Sequence, residues 1–120
     1  MFQERTPYVD VIQRQATAAA TFTARFPKID SYDYLLVRSL SVCNNTNSGI
    51  RVDVGLSSGE AAYYVQTIVM TSDTYFYKLS GTFVVPKGYS IVLRFVSPND
   101  GDMFYANVTG ELVAFPPKVD

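Results

Sequence analysis

The sequence contains no histidine and only one cysteine, and these two scarcities remove most familiar catalytic and metal chemistry. Histidine is the commonest general base and metal ligand, and Ser–His and Cys–His nucleophiles depend on it. With Cys43 alone, neither an internal disulfide nor a thiolate metal cluster can form within one chain. Gly-rich phosphate loops and dinucleotide fingerprints are also missing. We therefore expect a protein that is not an enzyme and that holds no metal and no cofactor.

Charge is sparse as well, which narrows the range of partners. Charged residues make up 18% of the chain, below the ~25% typical of globular domains, and the net charge is −1. Lysine and arginine do not cluster, so we expect no nucleic-acid partner. No apolar run approaches the ~18 residues of a membrane span, and the start of the chain is too polar for a signal peptide. We therefore expect no membrane partner.

Oxygen-bearing side chains remain as candidates for chemistry. The run 99–102 offers oxygens to Ca²⁺, but it is short and no glutamate closes it, so we interpret it as a hairpin turn. Glu60 and Glu111 are candidates for the paired carboxylates of a glycoside hydrolase only because they are glutamates. The distance between the two carboxylates of such a pair is set by the fold, so the sequence does not select them. Asn44 and Asn107 each begin a glycan-acceptor pattern. We interpret Asn44 as part of a turn and Asn107 as a residue in the middle of a strand, which is a poor place for a bulky glycan. A lectin-like module or an unusual hydrolase stays as an alternative.

The chain is rich in strand-forming residues and in turn signals. It has 9 Tyr and 8 Phe, with Val and Thr also abundant, and Gly and Pro punctuate the sequence. The segments with strand character are 21–26, 34–43, 50–56, 61–70, 75–79, 82–85, 89–95 and 103–115. Turns about every ten residues predict an all-β protein, an antiparallel β-sandwich of jelly-roll type with seven or eight strands.

The first fifteen residues lack a clean period, so a short helix and an extended arm both remain open. We favour an N-terminal arm over residues 1–15, with a short first strand as one form of it, because terminal segments are often ordered only by docking. The β-sandwich domain then covers 16–116, and 117–120 form a C-terminal tail.

Several strands carry apolar residues on both faces, which a monomer of this size does not need. An apolar residue on the solvent face of a sheet indicates that something covers it, and large exposed apolar patches mark interfaces. We therefore predict a homo-oligomer. The residues assigned to self-association are Leu35, Val37, Tyr63, Tyr75 and Tyr77.

Three stretches resemble small phage virion proteins with jelly-roll folds. "YLLVRSLSVCNNTNSGIRVDVGL" resembles their strand, Asn-rich turn and strand; "YKLSGTFVVPKGYSIVLRF" resembles their later hairpin with a Pro-x-Gly turn; and "FYANVTGELVAF" resembles their closing strand. The cues run from about residue 34 to 115. The resemblance carries no motif that assigns a functional residue.

The resemblance implies a structural virion protein that is made in the host cytoplasm and ends up in the virion. The specific expectation is a capsid cement or decoration subunit, a homotrimer, which stabilises a phage head by bridging subunits of the major capsid protein. The arm would reach over a neighbour, and the residues predicted to dock there are Phe2, Tyr8, Val11 and Ile12. The alternative is a tail or fibre component that binds a host-surface glycan. That alternative predicts exposed tyrosines with Asp or Asn nearby on loops.

Overall fold

The computed structural model describes residues 4–44, 50–59, 61–70, 77–79 and 81–115. The strands within these ranges are β1 (Glu4–Gln15), β2 (Phe22–Arg25), β3 (Tyr34–Asn44), β4 (Arg51–Ser57), β5 (Ala62–Val69), β6 (Tyr77–Lys78), β7 (Phe83–Pro86), β8 (Ser90–Val96) and β9 (Met103–Ala114). The predicted tail, 117–120, lies outside the described residues.

The strands form two antiparallel sheets that pack as a sandwich. The first sheet has the order β1-β9-β3, and β6 and β7 both pair with the far side of β3. The second has the order β2-β8-β4-β5. Because β6 and β7 share one strand position, the described residues fill eight positions, and most connections cross between the sheets, as in a jelly roll. The predicted fold class is confirmed.

The core lies between the sheets and is built from alternate residues of each strand. Three phenylalanines stack where the sheets meet: the ring of the buried Phe95 lies 4.4 Å from that of the buried Phe104 and 4.9 Å from that of the half-buried Phe22, between centroids. These contacts join β2 and β8 of one sheet to β9 of the other. Offset-stacked rings of this kind are favourable beyond their burial alone, so the triad fixes how the sheets stack.

Two glycines let the sheets absorb an extra residue. The register of β3 against β9 shifts between Val37 and Ser39, and Gly110 lies opposite that bulge. A β-carbon on Gly110 would overlap the carbonyl of Leu36, so only glycine fits there. Gly55 has the same role opposite the bulge in β5, where an added β-carbon would stand 2.8 Å from the α-carbon of Tyr64.

Residues 4–15, which we predicted as an arm with at most a short strand, form the twelve-residue strand β1 instead. It pairs along its whole length with β9, from Glu4 opposite Ala114 to Gln15 opposite Met103. Ile12 faces the core, whereas Val9 and Val11 face outward and are 70% and 60% exposed. The outward Val9 and Val11 are thus apolar where a solvent-facing strand position is usually polar, which hides the period of two that identifies a strand.

Candidate self-association surfaces

Three edge strands in the described part of the chain carry exposed large apolar side chains: β1 and β5 carry two or more each, and β7 carries Val84. Within the described part of the chain, β1 pairs only with β9, and β5 pairs only with β4. On β1 the exposed large apolar side chains are the two valines described above. On β5 they are Tyr63 at 64%, Val65 at 67% and Val69 at 61%. An edge strand presents unpaired backbone N–H and C=O groups, and exposed apolar side chains beside them favour pairing with another strand.

The β1 and β5 edges face opposite sides of the sandwich. The rings of Phe22 and Phe104 lie 5.9 Å apart, which places β2 against the β1–β9 end of the other sheet. Since β2 and β5 are the two ends of their sheet, β5 lies at the far side from β1. A surface on one copy therefore meets a different surface on the next copy if the two edges join, which is a head-to-tail arrangement.

The free edge of β1 is partly protected by Asp10. The backbone N–H of Val11 donates to Asp10 Oδ1 at 2.8 Å, so this amide points away from β9 and toward the open side. The hydroxyl of Tyr8 donates to Asp10 Oδ2 at 3.3 Å and holds the carboxylate in place. Burial, followed by the charge of Asp10 and this hydrogen bond, raises the pKa of Tyr8 to about 12, so the hydroxyl stays protonated. A strand that joins β1 must displace Asp10 from Val11.

The structure separates the predicted docking residues. Val11 is exposed on the outer face of β1, and Tyr8 is half-buried against the core. Ile12 is 9% exposed and belongs to the core, so it is not available to a partner in this fold. Phe2 lies outside the described residues. Strand alternation explains the division, because neighbouring residues of β1 point to opposite faces.

The residues predicted for self-association divide in the same way. Leu35 and Val37 are each 1% exposed and face the core from β3, so this assignment is corrected: the monomer itself covers them. Tyr63 is exposed on the edge strand β5, where a second copy can reach it. Tyr75 and the side chain of Tyr77 lie outside the described residues.

Other exposed apolar residues were not predicted from the sequence, and these are Val9, Val65, Val69, Val84 and Phe115. The signal for the β5 valines was present, since both faces of that strand are apolar. The signal for Val9 was obscured because residues 4–15 were not assigned as a strand.

A buried carboxylate ties the edge strand β5 to its sheet. Asp53, on the outer face of β4, is 3% exposed. It accepts hydrogen bonds from Arg94 Nε at 3.0 Å, from Arg94 Nη2 at 2.6 Å and from Thr67 Oγ1 at 2.9 Å. These donors lie on β8 and β5, so the network spans three strands. Arg94 also lies over the ring of Tyr64, 4.0 Å from its centroid, which adds a second link to β5.

The environment of Asp53 favours its ionised form. Burial raises the pKa of the Asp53 carboxyl, but the hydrogen bonds from Arg94 and Thr67, together with the charges of Arg51 and Arg94, outweigh it. The pKa of this carboxyl is therefore held below its usual value. On the other sheet, hydrogen bonds from Arg38 hold the pKa of Glu111 below its usual range, with the charges of Arg38 and Arg5 adding to the effect.

The oxygen-bearing candidates have structural roles. Asp102 is 3% exposed, and its Oδ2 accepts the backbone N–H of Asn99 at 2.9 Å, which closes the turn before β9. Glu111 pairs with Arg38 at 2.7 Å, and Glu60 lies outside the described residues. Asn107 lies mid-strand and accepts a hydrogen bond from Ser41, while Asn44 is fully buried at the end of β3. In the described ranges, no group of three or more His, Cys, Asp or Glu side chains is placed to hold a metal ion.

None of the described segments is a helix long and apolar enough to cross a membrane. No protein-family model matches the chain, and no curated protein matches it. Among solved structures, the chain is similar to a protein of the Bacillus endospore appendages, which "form a novel family of disulfide-linked pili". The two chains are 16% identical, the match covers 96% of this chain and 93% of that one, and the TM-score is 0.63. This likeness supports the β-sandwich fold.

Proposed function

We propose that this chain is a structural subunit that joins copies of itself head to tail, with the β1 edge of one copy against the β5 edge of the next. The observation that supports it best is the presence of exposed valines on two sheet edges that face opposite sides of the molecule. It acts by burying the surfaces of its edges against neighbouring copies, without catalysis, metal or cofactor.

A single edge contact is weak, which suits a protein that works in many copies. Fully burying one Val contributes about 1.5 kcal/mol, and the valines at the two edges are between 60% and 70% exposed, so covering all four supplies about 4 kcal/mol per junction. Association costs at least about 4 kcal/mol in lost freedom of motion. The two terms roughly cancel before backbone hydrogen bonds are added, so assembly depends strongly on concentration and on several junctions acting together.

The closed form of this arrangement corresponds to the role expected from the sequence. A head-to-tail interface forms a ring when its rotation closes. We propose such a ring, a homotrimer, as the capsid cement or decoration subunit of a phage head, where it bridges subunits of the major capsid protein in the virion. Among the described residues, the exposed large apolar side chains that lie on neither of the two joining edges are Val84 and Phe115, and we assign these to contact with the shell.

An open filament is the second candidate. The same interface gives a fibre when the rotation does not close. The similar fold of a protein from endospore appendages that form pili favours this form.

The test is the mass of the purified protein by light scattering across a range of concentrations. We expect oligomers that grow with concentration, and we expect Val11→Lys and Val65→Lys each to lower the mass toward that of one chain. Ala19→Lys places the same charge on an exposed loop and is the matched control; it should assemble like the wild type. A single-chain mass at every concentration, or equal assembly of all variants, would contradict the proposal. Electron microscopy of the oligomers then separates rings from filaments.

A further inference from the structure

A small pocket opens between β1 and the loop that precedes β3. Its volume is about 180 Å³, and its walls include Tyr8, Tyr32 and Leu112, with Lys28, Asp30 and Ser31 on the loop. This volume equals the space of about six water molecules, and it is smaller than the roughly 300–1,000 Å³ that drug-sized ligands need. The pocket therefore fits one small ring and no longer ligand.

The apolar wall of the pocket is held in place. Tyr8, Tyr32 and Leu112 are half-buried and pack against the core. The Tyr32 hydroxyl donates to Thr6 Oγ1 at 3.3 Å, and the Tyr8 hydroxyl donates to Asp10. Both phenol rings are therefore fixed at both ends, by packing and by a hydrogen bond. Two fixed aromatic rings around one opening form a preorganised apolar surface for a ligand ring.

The loop that carries the polar groups is fixed as well. Ile29 is buried, its N–H donates to Tyr89 O at 3.0 Å, and its carbonyl accepts from Gly88 N at 2.6 Å. Phe26 N donates to Ile91 O at 3.0 Å, and Asp33 N donates to Val113 O at 2.9 Å. The loop is thus hydrogen-bonded at its start, middle and end. The groups between these points are already ordered before a ligand binds, so binding does not have to pay the entropy of ordering them.

The rim of the pocket offers one acceptor and one donor of opposite charge. Asp30 Oδ1 accepts from Ser31 Oγ at 3.0 Å, and within the described ranges Oδ2 has no protein donor. Lys28 is exposed, and its ammonium group makes no ion pair with any described residue. A ligand with vicinal hydroxyl groups can donate to the carboxylate and accept from the ammonium at the same time.

We propose that this pocket binds a single neutral pyranose sugar, either free or as the terminal residue of a glycan. A pyranose ring has a C–H face that packs on an aromatic ring and hydroxyl groups at its rim, which matches the fixed tyrosines and the Lys28–Asp30 pair. A sugar that carries a carboxylate is disfavoured, because it brings a like charge to Asp30. The pocket lies on the inner side of β1, so the site is complete in one copy and does not depend on the proposed assembly. In an assembly, many weak sites would add by multivalency.

The direct test is a titration of the isotope-labelled full chain with methyl glucoside, methyl galactoside, methyl mannoside and N-acetylglucosamine, followed by amide NMR shifts. At least one of these sugars should shift the amides of Tyr8 and residues 29–32 with saturation in the millimolar range, as expected for a ligand of this size. Glucuronate should bind more weakly than the matching neutral sugar. The titration is run on dilute protein and repeated with Val11→Lys, so its result does not depend on assembly. Immobilised glycans with the same terminal sugar separate recognition of a glycan end from recognition of a free sugar.

Two pairs of variants assign the binding to the pocket. Asp30→Asn should weaken binding at least about fivefold, because a charge-assisted hydrogen bond becomes a neutral one. Asp100→Asn, a change of the same kind in the exposed turn before β9, should have no effect. Tyr32→Phe should retain binding and Tyr32→Ala should lose it, with the amide spectrum confirming that each variant is folded. Shifts that are scattered over the surface, that do not saturate, or that persist unchanged in Asp30→Asn would overturn the proposal.

Discussion

Replacing Asp53 with Asn tests whether the three-strand network holds the β5 edge in place. The variant keeps the size of the side chain and removes its charge. In the native protein the carboxylate accepts three short hydrogen bonds, two from Arg94 and one from Thr67, and a longer one from Arg51 at 3.5 Å, while its side chain is only 5% exposed. A hydrogen bond to a charged group contributes about 1 kcal/mol more than a neutral one, so the loss is about 3 kcal/mol. Removing one member of a buried ion pair leaves the other uncompensated, so relief of the cost of burying the charge offsets only part of this loss, and the net loss is about 2 kcal/mol.

Urea unfolding at pH 7 measures this difference. With a slope of about 2 kcal/mol per molar urea for a chain of this size, the unfolding midpoint of Asp53→Asn should fall by about 1 M. Glu111→Gln is the matched control, because Glu111 is also paired with two arginines but on an exposed surface; its midpoint should move less. If the two variants are equally stable, or if Asp53→Asn unfolds at the wild-type midpoint, the network does not stabilise the sheet as described.

The same variant should also change the response to acid. Because the pKa of Asp53 is lower in the folded state than in the unfolded chain, its stabilisation is complete above the unfolded value of about 3.9 and is lost as the pH falls through the folded value. The wild type should therefore lose its advantage over Asp53→Asn only below about pH 4. An advantage that disappears between pH 7 and pH 5 would contradict this assignment.

Three further outcomes are expected. Asp10→Ala removes the acceptor that covers the Val11 amide, so the variant should assemble at lower protein concentration than the wild type in light scattering; slower assembly would count against the β1 edge. Gly110→Ala should lower the free energy of unfolding by at least about 2 kcal/mol, because the new methyl group meets the Leu36 carbonyl, whereas Thr109→Ala should cost less than about 1 kcal/mol. Reducing agent should leave the oligomer mass unchanged, since Cys43 is only 5% exposed; a lower mass would reveal a disulfide between copies.

The sequence was sufficient to predict the fold class because turn signals and alternation agree along most of the chain. The segment 50–56 alternates without a slip, and it forms β4 almost residue for residue. The closing strand, β9, also follows its predicted bounds closely. These strands lie in the interior of their sheets, where one face meets the core and period two is strongly specified.

The edges are where sequence reasoning was insufficient. In β1, the outward Val9 and Val11 are apolar and the inward Asp10 is polar, so the usual contrast between faces is lost. The partner of β1 is β9, with Gln15 opposite Met103 and Glu4 opposite Ala114, and a local pattern does not specify a pairing between segments so far apart in the chain. In β3, the apolar run suggested a covered outer face, but Leu35 and Val37 both point into the core, so the run alone does not identify an interface. The pocket near Tyr32 depends on loop positions set by contacts with β8 and β9, which no spacing in the sequence indicates.

Hydrogen exchange of the backbone amides, compared below and above the concentration at which the protein assembles, tests the central claim most directly. If the edges join head to tail, alternate amides of β1 and β5, those that point away from their sheets, should become protected together on assembly, while the amides of β4 and β8 should not change. Assembly that leaves exchange in both edge strands unaltered would show that the copies meet through another surface.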